Sequence, residues 1–216
     1  MYYLTTLELL TLSHLGMCLI TSNIKARWYM VHVIGNLYLT WEVIPPIIEL
    51  LSNPLIEINL NYNPDVINIT IMIHLYHLLF FKCTKDDIWH HFSFGIPGTF
   101  LKYYGQNCLG KNLAINLFFV CGLPGAIDYF YLTLLELNYI DKLTRIKQCC
   151  YNNNWFRAPG LIVSATFHYL RLVVNGFSWI NILYFILSLI PSYFNGQYYL
   201  QQVLLTGGQK YQINCS

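Results

Sequence analysis

The side chains best suited to chemistry in this chain are histidines and acids gathered in one short stretch. His74-Leu75-Tyr76-His77 is followed, after a brief linker, by Asp86-Asp87-Ile88-Trp89-His90-His91. His74 and His77, three apart, share a helix face. In a helix from Asp86 to His91, the four-residue offset brings Asp86 to His90 and Asp87 to His91. A carboxylate beside an imidazole fixes its tautomer and raises its pKa, as a general base or proton shuttle in a dry site requires. Four of the seven histidines fall in this stretch, which favours function for His90 and His91. The plainer readings are a solvated helix start for Asp86 and Asp87, and a hydrogen bond across helices for His74 and His77.

Asp128 follows a Gly122-Leu123-Pro124-Gly125 break inside a long apolar run. A carboxylate there is costly without a partner or a proton. His168 and Arg171, three apart in a later apolar run, are candidates to partner Asp128 or to bind an anionic headgroup. Arg171 could equally snorkel to the interface. Glu136 stands near a span end and reads as water-facing, and His14, His32, Glu42 and Glu49 read as structural. No Gly-rich phosphate loop, Cys-x-x-Cys pair, nucleophile elbow or dinucleotide fingerprint appears, so neither a metal nor a bound cofactor is expected.

These residues are carried by a chain with 12 Lys and Arg and 10 Asp and Glu among 216 residues, 56% of them hydrophobic. Soluble domains carry roughly a quarter charged residues, and a core of this size cannot hide so much apolar surface behind so few charges. The reading is an all-α polytopic membrane bundle. A net charge of +2, with scattered basic residues, excludes a nucleic-acid binder that works by phosphate neutralisation. Seven cysteines without metal spacing suggest no disulfide framework; the adjacent Cys149 and Cys150 read as two thiols, with lipidation the alternative.

A span needs roughly 20 mostly apolar residues, which predicts seven transmembrane helices near 3–22, 28–51, 66–82, 88–104, 112–136, 158–175 and 177–195. The first is taken as a retained span. With the amino terminus outside, Lys25, Arg27, Lys82, Lys85, Lys142, Arg145, Lys147, Arg157 and Lys210 fall on the cytoplasmic side; Lys102 and Lys111 disagree. Pro45-Pro46 is expected to break the second span and Gly122–Gly125 the fifth, while Asn175-Gly176 turns the last two into a hairpin. Asn112, Asn116 and Asn181 are expected to hydrogen-bond between helices.

The His74–His77 run, the Asp86–His91 run and the later intramembrane acid at Asp128 together resemble the TLC-domain proteins, which include ceramide synthases and translocation-associated membrane proteins. The likeness covers about residues 66–190. It implies that His90 and His91 match the double His and Asp128 the later acid, although Ile127 stands where the synthases have His. A second resemblance is to fatty acid elongases, with Asp87 at the first His of a His-x-x-His-His box. The TLC resemblance implies acyl transfer from acyl-CoA, as substrate, to a lipid amine or hydroxyl in the endoplasmic reticulum membrane. His90 or His91 would take the acceptor's proton or carry the acyl group, with Asp87 or Asp128 orienting it and His74, His77, His168 or Arg171 binding substrate. The alternative is a non-catalytic lipid-binding or transport protein with the same cavity.

Overall fold

The computed structural model describes residues 2–57, 66–83 and 110–187, with single positions 85, 88, 193, 194, 196, 197, 200, 201, 204 and 205. Asp86, Asp87, His90 and His91, and with them the expected span 88–104, lie outside the described residues. Among the described residues every regular element is helical: α1 (Tyr2–Ile20), α2 (Ile24–Ser52), α3 (Pro54–Glu57), α4 (Ile67–Phe80), α5 (Asn112–Val120), α6 (Leu123–Glu136), α7 (Lys142–Asn152), a π turn (Asn153–Arg157) and α8 (Ala158–Asn175). Residues 179–187 are helical as well.

Of these, the stretch Asn112–Glu136 is long and apolar enough to cross a membrane; Leu4–Ile20 and Ile67–Phe80 are apolar but shorter. The expected spans 28–51 and 158–175 do form helices of sufficient length. Polar side chains dilute them: Lys25, Arg27, Glu42 and Glu49 in α2, His168 and Arg171 in α8.

α2 is the hub and packs against α1, α4, α5 and α6. Its N-cap is Asn23, whose Oδ1 accepts from the backbone N–H groups of Lys25 and Ala26. Contrary to expectation, the helix does not break at Pro45-Pro46 but runs on to Ser52. Val43 before the prolines and Leu50 after them are fully buried, so tertiary packing holds both halves in line despite the lost backbone donors. The main core joins four helices through Leu10, Val31, Leu39, Ile69, Ile73 and Leu113. Gly35 permits a close approach there, since a Cβ would lie 2.7 Å from Ile73 and 3.1 Å from Leu10.

The chain does break at Cys121-Gly122, between α5 and α6, as the Gly-Leu-Pro-Gly sequence implies. Gly176 ends α8 with a φ of 83°, a left-handed conformation that glycine adopts without a Cβ penalty. The basic segment Lys142–Arg157, expected as a loop, is instead helical and continuous with α8. Asp141 makes this possible: its Oδ1 accepts from Thr144 N at 2.7 Å and caps α7. Lys111, one of the two residues at odds with the charge asymmetry, pairs with Glu49 at 2.6 Å, which neutralises it locally.

Candidate functional site

The break between α5 and α6 and the π turn between α7 and α8 meet at Asp128. Pro159 has no N–H to give to a carbonyl one turn back, and its ring would crowd the carbonyl four residues earlier. The helix widens there, and Ala158 N–H reaches Asn153 O, five residues back. A five-residue step places Asn152 and Arg157 on one side, and both reach Asp128. Arg157 Nη1 lies 2.7 Å from Asp128 Oδ2, and Asn152 Nδ2 donates to Asp128 Oδ1 at 2.7 Å. The second Asn152 Nδ2 hydrogen bond goes to the Pro124 carbonyl at 2.8 Å, beside the break. Arg157 Nη1 also donates to Asn153 Oδ1, and Asn153 Nδ2 to the Cys149 carbonyl and Sγ. Two buried polar atoms of this knot, Asn152 Oδ1 and Arg157 Nε, have no hydrogen-bond partner among the described residues.

Against the knot lies a groove of about 590 Å³, within the usual range of ligand pockets. Val33 and Leu37 of α2, Ala126, Ile127 and Phe130 of α6, and Phe156 form its apolar walls. Tyr131, Gln148, Tyr151 and Asn152 supply polar atoms. Asp128 stands eight residues from Glu136, about 12 Å along the axis, so within the apolar stretch Asn112–Glu136 the knot and groove are well inside its ends.

The expected site residues divide between different places. His77 is 1% exposed and stacked on Trp28, with ring centroids 4.3 Å apart; His32 stands edge-on to it at 5.6 Å and lies 4.4 Å from Tyr129. Cys83 Sγ is 3.6 Å from His77 Nε2. His74 sits one turn away, its Nδ1–H donating to the Thr70 carbonyl at 2.7 Å. His32 and His168 do the same toward Trp28 O and Ser164 O. A carbonyl only accepts, so in all three the proton sits on Nδ1 and Nε2 carries the lone pair when the ring is neutral.

His168 and Arg171, each 4% exposed, belong to the α5–α8 face and not to Asp128. There Asn112 Nδ2 donates to Phe167 O and Asn116 Nδ2 to Ser164 Oγ, the interhelical role expected of both. Asn181 instead bonds locally, to Gly176 O. The partners of Asp128 are therefore Arg157 and Asn152, neither of which stood out in the sequence. The usable signal was the run Asn152-Asn153-Asn154 close before Pro159, a polar patch followed by a helix-disrupting residue. Among the described residues no cluster of three metal-binding side chains forms.

No protein-family model, curated protein or solved structure matches the chain.

Proposed function

We propose that the chain is a multi-pass membrane protein of about seven spans that holds a lipid in the groove beside Asp128. The observation that carries this reading is an apolar groove that ends on a polar knot inside the helical stretch long and apolar enough to cross a membrane. Such a groove suits an alkyl chain with a small polar end. The multi-pass architecture is supported by apolar side chains left exposed on several helices: Leu12, Leu15 and Leu19 on α1, Trp41 and Ile48 on α2, Val163 and Val173 on α8, and Trp179 and Ile182 beyond it. Among the described residues the groove lining includes no histidine, cysteine or carboxylate, which favours lipid binding over catalysis at this point. Acyl transfer centred on His90 and His91, as the TLC resemblance implies, is the reading the same experiment separates.

The experiment is mass spectrometry of lipids that co-purify with the wild type, Leu37→Trp, and His90→Ala with His91→Ala. Leu37 is 44% exposed and lines the groove, so Trp there fills space without entering the core. Lipid is expected with the wild type and the double His variant and lost from Leu37→Trp. Equal lipid in all three overturns the groove as the site, and acyl product that depends on the two histidines moves the function to them.

A further inference from the structure

Away from the groove, the end of α4 brings a thiol against an imidazole. α4 stops at Phe80, and Phe81 leaves it in an extended conformation while its N–H still bonds to the His77 carbonyl at 3.1 Å. This turn carries Cys83 back over the last helical turn, where its Sγ lies 3.6 Å from His77 Nε2 and 3.7 Å from the Phe81 carbonyl. The carbonyl can only share the thiol proton, whereas a neutral imidazole nitrogen can take it.

His77 is well placed for that part. Its ring is held from two sides, stacked on Trp28 and edge-on to His32, which fixes the direction of Nε2. The ring is buried, while Cys83 is partly exposed. A base shielded from water, beside a thiol that a reagent can reach, is the arrangement that activates a cysteine nucleophile. Cys149, by contrast, is buried with its sulfur against the Asn153 amide.

The surroundings of Cys83 select the electrophile. It follows directly on the apolar helix Ile67–Phe80 and stands between Lys82 and Lys85, both exposed. On the membrane reading above, α4 ends at the bilayer surface. An alkyl chain attached to Cys83 then lies in hydrocarbon beside α4, and the lysines draw a carrier that bears negative charge.

Resting on that membrane reading but not on the groove, we propose that Cys83 is a nucleophile activated by His77 that accepts a long-chain acyl group from an acyl thioester. His77 Nε2 takes the Sγ proton and Sγ attacks the thioester carbonyl. The acyl–Sγ bond forms as the bond to the carrier sulfur breaks, and the carrier thiolate leaves with the proton from Nε2. The products are S-acylated Cys83 and the carrier thiol, with nothing oxidised or reduced.

The test treats the full chain in detergent at pH 7 with palmitoyl-CoA and, separately, with iodoacetamide, and maps the modified cysteines by peptide mass spectrometry. Palmitate that neutral hydroxylamine releases is expected on Cys83 and not in Cys83→Ser. A thiol of ordinary acidity is about 3% ionised at pH 7, which leaves room for about thirtyfold activation. Iodoacetamide should therefore modify Cys83 about tenfold faster than Cys150, and His77→Gln should remove that advantage with the Cys150 rate unchanged. If loss of the buried ring disturbs the fold, Cys150 speeds up too, and the wild-type ratio of the two cysteines decides. Equal wild-type rates, or a Cys83 rate indifferent to His77→Gln, overturn the activation. Fast alkylation of Cys83 without palmitate on it overturns the acyl assignment. Neither result touches the lipid groove, which Leu37→Trp tests separately.

Discussion

Arg157 Nη1 sits 2.7 Å from Asp128 Oδ2, with both side chains 15% exposed, and the pair joins α6 to the π turn that precedes α8. Removing one member of such a pair strands the other charge, which typically costs about 3–5 kcal/mol, whereas removing both costs much less. Arg157→Met should therefore unfold more readily in detergent than Arg157→Met combined with Asp128→Asn. The check is a double-mutant cycle by thermal denaturation. Strict additivity would show that the pair is not coupled.

Helix positions were legible in the sequence where apolar runs met Gly or Pro. Gly122-Leu123-Pro124-Gly125 marked the break between α5 and α6 and Asn175-Gly176 the end of α8, and both stand in the structure. α7 was not legible, because its Lys and Arg residues read as loop charge, whereas in the structure Asp141 caps a helix there through Thr144 N. Pro45-Pro46 misled in the other direction, since local chain chemistry favours a break and buried Val43 and Leu50 override it. Asp128 was recognisable as a buried acid needing a partner. Arg157 was not recognisable as that partner, because the contact depends on a π turn and on the way α7 lies across α6, and both are tertiary.

The crossing of α8 over α5 depends on Gly160, where a Cβ would collide with the ring of Phe119. An aromatic ring packed against Phe118 and Phe156 has little room to retreat. Gly160→Ala should destabilise by about 1–3 kcal/mol as an overpacked contact. Adding Phe119→Leu should recover part of the loss. Thermal unfolding of the single and double variants decides this, and an unshifted Gly160→Ala midpoint would show that the contact is loose.

Asp141 gives a pH dependence with a definite sign. The Thr144 backbone N–H holds its carboxyl below the ordinary carboxylate range. A lowered pKa means the cap's contribution is fully present above the unfolded-state value and is lost as pH falls through the folded-state value. The difference in unfolding midpoint between wild type and Asp141→Asn should therefore shrink as pH falls below about 4. A difference that stays constant from pH 7 to pH 3 would mean that the ionised cap does not matter.

Cys149 and Cys150 are adjacent on α7 yet face different surroundings. Cys149 is 7% exposed and its Sγ accepts from Asn153 Nδ2 at 3.4 Å, while Cys150 is partly exposed. Burial, reinforced by the nearby Asp128 carboxylate, pushes the Cys149 thiol up to about 11. The thiolate is the species that alkylates, and raising a thiol's pKa by two units lowers its population at pH 8 by about a hundredfold. A maleimide at pH 8 should therefore modify Cys150 well before Cys149, with the Cys149 rate climbing as pH rises toward 10. Burial blocks Cys149 sterically as well, so Asn153→Ala, which removes the amide beside the sulfur, should speed Cys149 labelling without changing Cys150. Any acyl thioester on this pair should, by the same reasoning, form on Cys150. Peptide mass spectrometry of singly modified protein resolves the two sites. Equal modification at pH 8 would refute the burial of Cys149 and, with it, the packing of the π turn against Asp128.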